Sequence, residues 1–252
     1  MPAAYDKYDY TSYWKGREYE HDSEVIAIRA FLEQIPEIGR VLELGGGFGR
    51  HVPNYIYRAK KAVLTDPSAK NLSIARQNLG HYKNLTIKQI KLENAPDKFR
   101  NGSFDLVIMI RVLHHIEDID QAFSIIAGLL DTNGYLVLEF ANKVHFKSAV
   151  INLFRGNFDF FSSTSSIDRR SQRMVNKGTL PFINYHPDVV RTALEKYGLN
   201  VVERRSVSNI RSPFLKKYLP ESFMLYIEKF LQIALAYVNF GPSIFVLARK
   251  RG

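Results

Sequence analysis

The chain has no cysteine among its 252 residues. That excludes disulfides, thiolate zinc sites and cysteine nucleophiles, and it fits the expectation of a reducing, cytoplasmic setting. No stretch approaches the ~18–20 consecutive apolar residues of a membrane span. The most apolar run near the carboxyl end, 223–238, is interrupted by Glu228, Lys229 and Gln232. The opening MPAAYDKYDYTSYW lacks a basic segment followed by an apolar core, so it does not read as a signal peptide. Tryptophan occurs once, as Trp14, and there is no internal repeat. What is present is ordinary for a globular chain: 46% hydrophobic and 24% charged residues, enough for one sizeable α/β domain.

Acidic charge is scarce in one region only. Residues 1–140 carry 17 basic and 18 acidic side chains, whereas 141–217 carry 14 against 5 and 218–252 carry 4 against 2. Nearly all of the net +10 therefore lies in 141–217. Such a segment suits nucleic acid, an anionic lipid surface or a phosphorylated small molecule, and equally a solvated basic face.

From residue 23 onward the pattern alternates. Apolar residues at 25, 26, 28, 31, 32 and 35 predict a helix over 23–35. Strand-like runs follow at 40–44, 61–65, 85–90, 104–110 and 135–140, separated by helical segments at 48–57, 68–79 and 119–130. Ser68 after Pro67 predicts an N-cap, and DTNG at 131–134 a helix stop and turn. Strands alternating with helices mean βαβ units and a parallel sheet that binds ligands at its carboxyl edge. The alternation breaks over 142–185, which reads as an inserted cap, and resumes with a helix at 187–197, a strand at 200–206, a helix at 221–238 and a strand at 243–248. In the 221–238 helix the polar or small positions 221, 228, 229, 232, 236 and 239 leave a broad apolar face. Packing of that face on the core is expected, with dimerisation or lipid contact as alternatives.

The most informative residues are VLELGGGFGR at 41–50. An apolar strand ends in Glu43 and enters a turn with glycines at 45, 46, 47 and 49. Missing Cβ atoms there admit a nucleotide-like ligand to the backbone and to helical N–H groups. The spacing is E-x-G-x-G-x-G, with Arg50 where a dinucleotide enzyme has its third glycine. Asp66, 17 residues past Gly49, closes the second strand where a carboxylate can accept both hydroxyls of an adenosine ribose. The turn resembles motif I of the class I S-adenosylmethionine (SAM)-dependent methyltransferases. The stretch KLENAPDKFRNGSFDLVIMIRVLHHIED at 91–118 is similar to the small-molecule enzymes of ubiquinone and menaquinone biosynthesis.

The resemblance implies a Rossmann-like, doubly wound α/β fold with a seven-stranded, mostly parallel sheet and an antiparallel last strand. One SAM-binding domain is expected, comprising an aromatic arm and helix (1–35), a cofactor-binding half (36–141), a cap (142–185) and carboxyl-terminal helices and strands (186–252). Gly45, Gly47 and Gly49 would floor the cofactor, Glu43 would orient its methionine end through the turn, and Asp66 would bind ribose. Glu93 or Asn94, in the acid-alanine position, would bind adenine, and Arg111 joins the cofactor set. His114 and His115, at the carboxyl end of the fourth strand, are the candidate bases. Asp105 is expected to stabilise the glycine loop or the sheet edge. The arm at 5–21, rich in tyrosine, predicts a lid that brings Tyr13, Trp14 or Arg17 to the methionine end, an aromatic face suiting a sulfonium and an arginine suiting a carboxylate. No metal site is expected. The acceptor would be a small molecule, lipid-like or anionic. Nucleic acid is not favoured, because no N-P-P-Y-like signature follows the fourth strand; peripheral membrane contact and a homodimer stay open. The rivals are a nicotinamide oxidoreductase, disfavoured by Arg50 and Glu43, and a non-catalytic module binding nucleic acid or membrane through 141–217.

Overall fold

Unbroken apolar runs become the central strands of a parallel sheet, because a strand covered on both faces has no polar side to alternate with. The computed structural model describes Asp6 and residues 10–252, with backbone alone at Tyr10 and Thr11; residues 5 and 7–9 of the arm lie outside the described residues. In chain order the first half comprises α1 (Tyr10–Tyr13), α2 (Glu18–Glu33), β1 (Arg40–Leu44), α3 (Val52–Tyr55), β2 (Lys61–Asp66), α4 (Ala69–Leu79), β3 (Leu85–Gln89), β4 (Phe104–Met109), α5 (Ile119–Leu129) and β5 (Leu130–Ala141). The second half comprises α6 (Phe146–Phe154), α7 (Asp159–Ser162), β6 (Ile167–Asp168), α8 (Gln172–Asn176), β7 (Ile183–Asn184), α9 (Pro187–Lys196), β8 (Leu199–Val207), α10 (Pro213–Tyr218), α11 (Glu221–Ala234) and β9 (Ser243–Lys250).

Seven strands form one sheet in the order β3-β2-β1-β4-β5-β9-β8, and β6 pairs with β7 apart from it. The pairs β1–β2, β1–β4, β2–β3 and β4–β5 are parallel, while β9 runs antiparallel to both β5 and β8. This is the expected fold. The order reverses between β1 and β4, which opens a crevice at their carboxyl ends. Side chains alternate across β1: Leu42 and Leu44 pack with α5 and α9, and Val41 with α2, α3 and α4. Glu43 shares the face of Val41 and is buried there.

Ser68 caps α4 as expected, accepting the Asn71 N–H. The helix predicted at 48–57 shrinks to the single turn of α3, because Gly49 takes φ +79° and Pro53 follows. Helix α2 begins at Glu18 rather than Ser23, since its inward positions include Glu20, Ser23 and Glu24, which apolar periodicity cannot register. The DTNG segment lies in a bulged start of β5, where pairing jumps from Phe104↔Leu130 to Leu106↔Tyr135 and Asn133 turns to φ +64°.

Helix α11 reverses its expected orientation. Met224, Glu228, Gln232 and, past the helix, Ala236, four apart, face the interior, while Phe223, Tyr226, Phe230 and Ile233 are 49%, 64%, 57% and 48% exposed. The neighbours supply the reason. Glu228 accepts from the Tyr19 hydroxyl at 2.7 Å and from the Asn209 N–H and side chain, and Gln232 donates to Ser23 O at 2.8 Å. Those groups are themselves buried and would be costly to leave unpaired. Burial pushes the Glu228 carboxyl up to about 7.

Candidate active site

The glycine turn is held from below. Gly46 N–H donates to Thr65 O at 3.0 Å and Gly47 N–H to Asp66 Oδ2 at 2.9 Å. Gly45 (φ +66°) allows no side chain: a Cβ there would meet Val112 Cγ2 at 2.4 Å. Gly49 (φ +79°) is similarly constrained, its Cβ falling 2.3 Å from Leu79 Cδ1. Glu43 lies beneath the turn, its carboxylate accepting the Tyr55 hydroxyl at 2.7 Å, and burial pushes it up to about 7. It supports the turn and does not line its open side.

Asp66, at the end of β2, accepts from Gly47 N–H through one oxygen and from Ser68 N–H (2.8 Å) through the other. Each carboxylate oxygen has two acceptor sites, and the Asn71 side chain is also directed at this carboxyl, so some acceptor capacity remains. Burial pushes this carboxyl up to about 6. Beside it, Asp6 of the arm accepts from Ser68 Oγ at 2.6 Å and from Lys70 N–H, so the arm crosses the amino end of α4.

At the other end of the turn lies a cluster that the local pattern did not reveal. Glu24 of α2 is fully buried and pairs with Arg50 and, at 2.6 Å, with Arg111; His51 Nε2 lies 3.3 Å away. The two guanidiniums hold Glu24 well below the usual carboxylate range despite its burial. Trp14 covers both arginines, with Arg50 Cζ 3.6 Å and Arg111 Cζ 5.1 Å from its ring centre. Of the three arm residues singled out, Trp14 reaches the turn. Tyr13 lies edge-on to Trp14, and Arg17 folds back over Tyr13 at 4.2 Å.

Arg111 takes φ +60°, and its N–H donates to Glu139 Oε2 at 2.8 Å. Glu139, buried on β5 and bonded by Ser243 Oγ, thus holds a sparsely populated backbone conformation at the end of β4. His114 and His115 follow in a 3-10 turn. His114 is 7% exposed and lies 4.7 Å from the Phe182 ring; His115 is bonded through Nδ1 to Pro181 O at 2.6 Å. Burial lowers both histidines, so both are neutral at pH 7. Phe182 and Pro181 belong to the 142–185 segment, which thus lies against the two histidines.

Glu93 and Asn94 sit on an exposed 3-10 turn after β3, and Ala95 next to them is fully buried. Asp105 lies at the far, amino-terminal edge of the sheet, where its Oδ2 accepts Arg40 N–H at 2.6 Å.

Residues 42–136 match the model of a methyltransferase domain. The chain is 29% identical over 129 residues to the ubiquinone/menaquinone biosynthesis C-methyltransferase of Pseudoalteromonas translucida, covering 48% of each. It is also 29% identical over 127 residues to a highly reducing polyketide synthase of Gibberella moniliformis, covering 46% of this chain and 5% of that one. The chain thus spans about one-twentieth of the polyketide synthases and about half of the quinone-biosynthesis enzyme that it matches. A SAM-dependent methyltransferase structure from Archaeoglobus fulgidus superposes with a TM-score of 0.59 at 15% identity, over 96% of this chain and 100% of that one. Residues 42–136 thus match a methyltransferase domain, set in a fold shared with SAM-dependent methyltransferases, for which SAM is the implied cofactor. The site fits that group: Gly45, Gly47 and Gly49 turn at φ +66°, +59° and +79° at the carboxyl end of β1, and Asp66 keeps acceptor capacity beside them.

Proposed function

We propose that the protein transfers a methyl group from SAM to a small-molecule acceptor, lipid-like or anionic, by in-line displacement. The observation that carries this reading is the glycine turn tied to Asp66 across the ends of β1 and β2. Bound there, SAM supplies an electrophilic methyl group on a sulfonium cation. Gly45, Gly47 and Gly49 form the floor, Glu43 braces it, and Asp66 accepts the ribose hydroxyls. Adenine binding falls to Glu93 or Asn94, and the buried Ala95 beside Asn94 supports the latter. Arg50 and Arg111 share one carboxylate, Glu24. The residual positive charge, faced by Trp14, suits the carboxylate of a methionine moiety. Phe182 and the arm exclude water from the two sides. Much of the acceleration then comes from holding donor and acceptor in near-attack geometry.

The pair His114–His115 takes the proton that the acceptor releases. Because burial lowers both, a smaller share of each is protonated at pH 6.5 than of an ordinary histidine, which is half charged there. Any histidine limb in the kcat profile should therefore lie below pH 6.5 once the cofactor is saturating; a limb centred at or above 6.5 would contradict this. The reading itself is tested by isothermal titration: SAM and its demethylated product should each bind at about micromolar Kd, in the range common for enzyme substrates. Absence of binding by both compounds would sink it. Transfer of labelled methyl from SAM to a panel of quinones, phenols and lipid extracts then identifies the acceptor class.

A further inference from the structure

The outward face of α11 is solvent-exposed among the described residues. Among the described residues, every large exposed apolar or tyrosine side chain except Tyr57 and Val202 lies within 146–182 or 214–238. Phe154 is 87% exposed, Phe214 67% and Tyr237 80%. These elements are joined. The Phe146 ring stacks on Phe240 at 4.8 Å and its N–H donates to Phe240 O, bringing α6 against the chain that follows α11. Leu219, between α10 and α11, packs into the same small core as Met224 and Tyr19. The apolar residues therefore form a neighbourhood of adjoining helices; α6 and nearly all of α10 fall within the segment 141–217 with its 14 basic and 5 acidic residues, and α11, which follows it, adds Lys229.

We propose that α6, α10 and the outer face of α11 form a docking surface for an anionic lipid bilayer. Aromatic and aliphatic side chains beside lysines and arginines are what an interfacial helix needs: the former enter the headgroup boundary and the latter meet anionic headgroups. No described helix is long and apolar enough to cross a membrane, so the surface lies on the bilayer. A second copy of the chain is a poorer occupant, because it would set one positively charged face against another. The inference rests on the proposed methyltransferase reading in one respect. The cap that carries α6 also packs Phe182 on His114, so docking turns the acceptor side of the site toward the lipid.

Vesicle co-sedimentation tests the proposal without using the cofactor. The full chain should bind vesicles of phosphatidylcholine increasingly as phosphatidylglycerol is added, and release them as salt rises. The triple variant Tyr226→Ser, Phe230→Ser, Ile233→Ser should partition about tenfold more weakly. Lys217→Glu with Lys229→Glu should lower partition about tenfold on the anionic vesicles only. Both variants should keep the wild-type affinity for the demethylated cofactor, a measurement that separates loss of docking from loss of fold and from failure of the methyltransferase reading. No vesicle binding at any phosphatidylglycerol content, equal binding by the triple variant, or a concentration-dependent dimer or RNA retention in place of vesicle binding would each overturn it.

Discussion

Replacing Asp66 by alanine should weaken binding of the demethylated cofactor by about 10³-fold. The change removes a carboxylate that holds Gly47 N–H at 2.9 Å and Ser68 N–H at 2.8 Å and that keeps acceptor capacity for the proposed ribose contact. Hydrogen bonds to a charged group contribute about 1.5–3 kcal/mol each, so two of them account for that magnitude. The pH dependence gives an independent check. Burial raises the Asp66 carboxyl to about 6, so in the free protein it becomes neutral as pH falls through that value. Affinity should be highest above pH 6 and fall about tenfold per unit below it, since only the carboxylate accepts both hydroxyls fully. Asp66→Asn should abolish that slope. Titration calorimetry at pH 5, 6 and 8 measures both effects, and an unchanged Kd in Asp66→Ala would remove the residue from the ribose site.

The second large effect concerns stability. Glu24→Ala should cost about 3–5 kcal/mol of folding free energy, the range for removing one partner of a buried ion pair. Arg50, 11% exposed at its side chain, and Arg111, 22% exposed, would then face one another beside Trp14 with no carboxylate between them. For a domain of this size the loss corresponds to about 6–20 °C in Tm. The sign with pH follows from the depressed carboxyl of Glu24. A group whose folded-state pKa lies below its unfolded value stabilises above the unfolded value and loses that contribution as pH falls. The stability gap between wild type and Glu24→Gln should therefore be widest near neutrality and narrow on acidification below pH 4.5. Urea unfolding at pH 7 and pH 4 measures it; equal stabilities at pH 7 would show that the cluster contributes nothing to folding.

The two sites differ in how far local pattern reached them. The glycine turn, Asp66 and the Ser68 cap are short-range features: each depends on residues within a few positions, and their backbone demands are legible in residue type. Glu24 is different. A carboxylate on a helix has the same local signature whether it meets water or two arginines from β1 and β4 connections, and only the packing of α2 across the sheet decides which. Glu139 escaped notice for the same reason, being a polar residue in an apolar strand whose partners, Arg111 and Ser243, are distant in sequence.

Helix α11 makes the limit plain. Its periodicity is real, but amphipathicity says only that two faces differ and not which one is buried. Tyr19, Asn209 and Ser23 present polar groups to α11, so its polar stripe turns inward and its apolar stripe outward.

The antiparallel last strand was implied by the family resemblance; by itself the sequence determined the alternation of strands and helices and the glycine turn at which a nucleotide-like cofactor would meet the backbone. Those follow from hydrophobic period and from glycine's freedom at a tight turn, which are properties of neighbouring residues. Tertiary structure alone decided that Trp14 rather than Arg17 covers the turn, that Glu24 pairs with both Arg50 and Arg111, and that the aromatic face of α11 looks outward. Each of these is a pairing between residues far apart in the chain, and its energy exists only once folding has brought both partners out of water.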